Sequence, residues 1–193
     1  TLMRSSAASD VYKRQDYENG YSLYIGIPFC PTTCSYCSFT SYPISQYLEK
    51  TDAYLEALCK ELSYIAAVSR EKKLNTIYLG GGTPTSLRAD QLDRLFTHLE
   101  KQFSYEHLLE LTVEAGRPDS ITREKLKVLK RHGIGRISVN PQTMQQKTLD
   151  LVGRRHTVED VITTFRVARE LGFDNINMDL IAGCLLYTSD AAD

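Results

Sequence analysis

The chain has 193 residues, 42% of them hydrophobic, which suits one domain or a large piece of one with an ordinary core. Its 23 basic and 24 acidic residues are interspersed and leave a net charge of −1, so no basic tract points to nucleic acid and there is no acidic tail. No apolar run reaches the roughly 18 residues of a membrane helix, and the five cysteines are not spaced like a small disulfide scaffold, which favours reduced, ligand-type thiols and a cytoplasmic setting.

Residues 1–15 show no periodicity and read as a non-native flank. Residues 21–27, Y-S-L-Y-I-G-I, read as a buried strand that Pro28 ends. A loop with Cys30, Cys34 and Cys37 follows. From Ser45 to Arg70, Leu48, Ala53, Leu55, Leu58, Leu62, Ile65 and Val68 recur at helical spacing, with Cys59 as a packing residue. Residues 75–79 form a short strand, and G-G-G-T-P-T follows at Gly80–Thr85. A helix over 88–102 carries Leu92, Leu95, Phe96 and Leu99 on one face. Residues 108–114 make a third strand ending in Glu114, and Ser120 or Thr122 caps a helix that Gly133 stops. A fourth strand over 134–139 leads into N-P-Q. A short helix at 145–152, a Thr157-capped helix to Leu171 and a fifth strand over 174–181 complete the pattern. The tail from Cys184 abandons it and reads as non-native, leaving 16–183 as the core of a truncated protein.

Five strand–helix alternations predict an α/β fold with a parallel sheet. The cysteines, the glycines, Glu114, Gln142 and Asp179 all fall at carboxyl ends of strands, which in a β/α barrel form one face. The C-x3-C-x2-C triplet fits either zinc, with a fourth ligand from Cys59 or a histidine, or an iron–sulfur cluster with one iron left open. The four histidines are scattered and the spacing is not that of paired C-x2-C, so the cluster is favoured; simple packing is the bland alternative to both. Tyr36 supplies an aromatic wall beside it and Phe39 shields it. G-G-G-T-P-T is a tight turn by itself, or a loop whose backbone comes close to an amino-acid moiety. Glu114, Gln142, Arg154 and Asp179 are singly ordinary surface residues, but together read as a nucleoside and amino-acid site. Arg117, Arg136 and Arg155 are either anion contacts or solvated surface. His98 and His107 read as exposed and His132 as a helix-end residue, none of them catalytic.

With these residues assembled, the chain resembles the radical S-adenosylmethionine enzymes, within them the coproporphyrinogen III oxidase-like branch. The resemblance rests on Y-I-G-I-P-F-C-P-T-T-C-S-Y-C, Y-L-G-G-G-T-P-T, L-T-V-E-A-G-R-P-D, R-I-S-V-N-P-Q-T-M and I-N-M-D-L-I-A-G, and spans about residues 21–183. It implies a partial (β/α) barrel of radical SAM type, truncated before its sixth strand. It implies a [4Fe–4S] cluster on Cys30, Cys34 and Cys37, with S-adenosylmethionine on the fourth iron. Gly81, Gly82 and Thr83 would line that ligand, Tyr24 and Tyr36 would pack near it, and Glu114, Gln142, Arg154 and Asp179 would contact it. The implied activity is that of an oxygen-independent coproporphyrinogen III dehydrogenase in haem biosynthesis. In that activity a low-potential donor would reduce the cluster, and a 5′-deoxyadenosyl radical would take a hydrogen from a propionate of coproporphyrinogen III. Loss of carbon dioxide and an electron would leave a vinyl group, and two rounds would give protoporphyrinogen IX. The family also contains haem chaperones, which are the alternative. Gly26 stands where the well-studied oxidases carry a histidine, and Phe39 where they carry a further cysteine. As a truncated piece, the chain is expected to be inactive alone.

Overall fold

The computed structural model describes residues 18–181; the sequence flanks 1–15 and 184–193, with Cys184, lie outside them. Five parallel strands form one sheet in sequential order: β1 (Gly20–Ile27), β2 (Lys73–Gly81), β3 (Glu110–Gly116), β4 (Arg136–Val139) and β5 (Asn175–Asn177). Neighbouring pairs set the register, with Tyr24 opposite Tyr78, Leu79 opposite Val113 and Ser138 opposite Asn177. The β3–β4 register shifts between Val113 and Gly116, around Glu114.

Alternation within the strands separates two faces. Leu23, Ile25, Ile27, Ile77, Leu79, Val113, Ile137 and Val139 are buried and share one core with the helices. The opposite face carries Tyr24, Tyr78, Thr112, Glu114 and Ser138. The first strand is therefore not buried throughout, as its apolar run suggests: Tyr24 is 63% exposed. Parallel strands usually read as continuous apolar runs because both faces are covered. Here the second face is polar, and it leads up to the site.

The helices α1 (Thr51–Val68), α2 (Ala89–Gln102), α3 (Arg123–Arg131), α4 (Gln146–Leu151) and α5 (Val158–Glu170) connect the strands. On α2, Leu92, Leu95, Phe96 and Leu99 are all at most 1% exposed, as their spacing predicts. Thr122 rather than Ser120 caps α3, accepting from Lys125 N, while Ser120 donates to Arg117 O. Thr157 and Asp160 form a reciprocal capping box on α5.

Two elements differ from expectation. The helix predicted over 45–70 begins at Thr51, preceded by a separate helical turn (Ile44–Tyr47) and a 3-10 turn (Leu48–Lys50). Tyr47, at φ −127° and ψ 14°, interrupts it, and Leu48 is left exposed. The fifth strand is short, although Leu180 still makes a parallel bridge to Gln142.

Candidate cofactor site

Beyond β1, Phe29–Cys30 pairs with Tyr42–Pro43 as a two-residue parallel ribbon, so residues 31–41 leave and re-enter at one place. The glycine turn clasps its base. Gly82 N donates to Ile27 O (2.8 Å) and Thr83 N to Phe29 O (2.8 Å). Gly81 has φ +105°, and a Cβ on Gly82 would lie 2.9 Å from Phe29 O and 3.0 Å from Cys30 Sγ. These glycines thus admit the backbone of the cysteine loop itself.

The other side of the loop rests on the turn after α4. Ser35 N donates to Val152 O (3.2 Å) and Thr32 Oγ1 to Gly153 O (3.0 Å). Cys37 N donates to Cys34 O (3.1 Å), closing a tight turn between two of the thiols. Cys30 is buried and accepts from the Thr83 hydroxyl (3.4 Å), while Cys34 and Cys37 are half-buried. Burial pushes the Cys30 thiol up, against the pull of the Thr83 hydrogen bond.

The loop faces the strand ends across a cavity of about 110 Å³. Cys30, Cys34, Cys37, Tyr36, Gly81, Gly82, Thr83, Glu114, Gln142 and Arg154 all line it, together with Phe39, Arg117 and Asn140. Tyr24 and Asp179 stand beside it instead. Tyr24 stacks on Tyr78 at 5.9 Å and 9°, and Asp179 is exposed on the segment after β5.

Glu114 is the most perturbed carboxylate. Burial, then the charge of Asp179, raises it to about 7, while bonds from Gly81 N and Tyr78 pull the other way. Asn140 Nδ2 reaches Glu114 Oε1 at 3.4 Å, leaving its own buried Oδ1 without a partner among the described residues. Arg154 donates from Nε to Tyr36 Oη (3.1 Å) and from Nη1 to Asn140 O (2.7 Å). Gln142 adopts φ +67°, rare for a side chain of its size. Its N–H donates to Asp179 O (2.9 Å) and its carbonyl accepts from Ile181 N (2.8 Å), which ties the N-P-Q turn to the end of the sheet.

The three further arginines separate. Arg155 is exposed. Arg136 sits near the start of β4, 3.5 Å from Glu110. Arg117 is buried, which removes the solvated-surface reading for it, and its guanidinium bonds Asp119 and Thr32 at the edge of the cavity. Asn140, Tyr78 and His156 escape the sequence reading. Asn140 directly follows β4 and Tyr78 shares the Gly80 face, so strand-end position and period two were available signals. His156 is buried with neither ring nitrogen hydrogen-bonded among the described residues, its Nδ1 lying 3.9 Å from Asp119 Oδ1, and burial and Arg154 push it down to about 4. Nothing in its sequence context marks it.

A sequence profile of the Radical SAM superfamily matches residues 24–187, and the chain belongs to that superfamily. It is similar to the oxygen-independent coproporphyrinogen-III oxidase-like protein HemZ of Bacillus subtilis, 45% identical over 92% of this chain and 36% of that protein. It is also similar to heme chaperone HemW of the same organism, 43% identical over 84% of this chain and 42% of that protein. Among solved structures it resembles coproporphyrinogen III oxidase (HemN) from Escherichia coli, a radical SAM enzyme. The TM-score is 0.77 at 31% identity, over 94% of this chain and 41% of that one. The chain thus spans well under half the length of these relatives. The α/β fold with a parallel five-stranded sheet is a radical SAM partial barrel, as the resemblance implies.

Membership implies a [4Fe–4S] cluster and S-adenosylmethionine. The donor set fits them. Among the described residues no three Cys, His, Asp or Glu side chains converge on a single-ion position. A cluster asks for something else, one thiolate on each of three irons spread around it. Cys30 and Cys34 each have a donor near sulfur, from Thr83 and Arg117. Opposite them stand a carboxylate, an orphaned amide oxygen and a guanidinium, groups that suit hydroxyls, an ammonium and a carboxylate.

Proposed function

We propose that this chain is the cofactor-binding core of a radical SAM protein of haem biosynthesis, acting as an oxygen-independent coproporphyrinogen III dehydrogenase. The observation that carries the reading is the single cavity where three cysteines of one loop meet Glu114, Gln142 and Arg154 from three other segments. Cys30, Cys34 and Cys37 would hold the cluster. Glu114, Gln142 and Arg154 would hold S-adenosylmethionine, with Gly81, Gly82, Thr83, Tyr24, Tyr36 and Asp179 near it. Bound together, the two groups supply one-electron chemistry that takes a hydrogen from an unactivated carbon. The protein's part is position and exclusion of water: Arg154 fixes Tyr36 as one wall, and Asn140 fixes Glu114. A low-potential donor and a tetrapyrrole are the partners, and the setting is cytoplasmic.

A haem chaperone of the same superfamily is the second reading. Its support is the 43% identity to HemW, close to the 45% to HemZ, and Gly26 where the oxidases carry a histidine. Anaerobic reconstitution of the full-length protein, then assay with coproporphyrinogen III, S-adenosylmethionine and a low-potential reductant, separates them. Protoporphyrinogen IX with release of carbon dioxide supports the dehydrogenase. Stable haem binding with no turnover overturns it in favour of the chaperone.

A further inference from the structure

We infer that Arg117, gripped by Asp119, is a positioning residue for the cysteine loop and a hydrogen-bond donor to the sulfur of Cys34. The inference rests on the cluster reading of this site. Arg117 follows β3 and its side chain is only 3% exposed. Nε and Nη2 donate to the two carboxylate oxygens of Asp119 at 3.0 and 2.8 Å. The 3-10 turn Pro118–Ser120 places that carboxylate two residues on, where it fills the rear of the guanidinium fork. The front is left for the loop. Nη1 donates to Thr32 O (3.0 Å) and Thr32 Oγ1 (2.6 Å), and lies 3.8 Å from Cys34 Sγ.

A buried ion pair is seldom kept for stability, since an apolar pair of the same volume serves as well. This pair has a directed use. Thr32 is held between Arg117 on one side and Gly153 O on the other, so the cysteine loop is clamped across its width. Thr32 lies two residues before Cys34, so fixing it fixes where that sulfur points. Asp119 lies on the far side of the guanidinium, so the positive end of the pair faces the thiolate. A hydrogen bond to a ligand sulfur, from a positively charged donor, favours the more negative, reduced cluster and raises its potential. Lysine offers the charge without the fork.

The test uses the full-length protein, reconstituted anaerobically with iron and sulfide. Iron and sulfide per chain are measured, then the midpoint potential by dithionite titration followed by electron paramagnetic resonance. Amide exchange of residues 31–37 is measured in the metal-free protein, where no cluster holds the loop. Arg117→Gln is expected to keep a cluster at a more negative potential than the parent, and to speed loop exchange by about tenfold or more. Arg117→Lys should restore part of the potential but not the slow exchange. Thr32→Val should speed exchange and leave the potential near the parent's. If Arg117→Gln alone does not fold, because Asp119 is left unpaired, Arg117→Gln with Asp119→Asn removes both charges and carries the same expectations. A folded variant with the parent's potential and the parent's loop exchange overturns the inference while the cluster reading stands. A parent chain that takes up no cluster overturns both.

Discussion

Glu114 is where burial and neighbouring charge compete most sharply. Its carboxyl is raised from 4.5 to about 7, first by burial and then by Asp179. Between those pH values the folded protein keeps a proton that the unfolded chain has released. Stability of the cofactor-free protein is therefore full below about pH 4.5 for this group and falls as pH rises through 7. The full effect is on the order of 3 kcal/mol. Glu114→Gln should flatten that slope and leave the variant more stable than the parent at pH 8, as read by urea unfolding at pH 5 and pH 8. The same variant should bind S-adenosylmethionine more weakly, since an amide cannot offer a full negative charge to an ammonium. A parent that is equally stable at both pH values would contradict the burial account. A buried carboxylate whose charge is costly without a cationic partner is a familiar sign of function.

At the scale of elements, the cysteine loop and the glycine turn form one unit. Gly82 has no room for a methyl group, with Phe29 O at 2.9 Å and Cys30 Sγ at 3.0 Å from the position it would take. Gly82→Ala should displace the ribbon at Phe29–Cys30 and cost about 1–3 kcal/mol of stability. It should also lower the iron and sulfide retained after reconstitution, and a variant with the parent's cluster content and melting temperature would contradict this close packing. The sequence made this unit partly legible. Strand ends and cysteine spacing are local patterns, and they placed Cys30, Cys34, Cys37, Glu114 and Gln142 on one cavity. The role of Gly82 was not visible, because what it approaches is 52 residues away in the chain rather than a ligand. Arg117 read equally as an anion contact or as solvated surface, because an arginine's partners depend on tertiary packing, here on Thr32, 85 residues earlier. Leu48 fitted the helical period and yet lies exposed, because the backbone at Tyr47 leaves the helix before Thr51 begins it again.

Across the whole molecule, one face of the sheet holds the apolar core and the other leads to the cavity. Helices on the first face fix the strands, and the strand ends fix Glu114, Asn140 and the loops around them. On the proposed reading this cavity holds a cluster with one iron open to S-adenosylmethionine. The most direct measurement is the electron paramagnetic resonance spectrum of the reduced, reconstituted full-length protein, with and without S-adenosylmethionine. A [4Fe–4S] signal that changes shape when S-adenosylmethionine is added, and that is lost in Cys30→Ala, is the predicted result. A cluster signal that S-adenosylmethionine leaves unchanged, or a cluster that survives loss of Cys30, would overturn that reading.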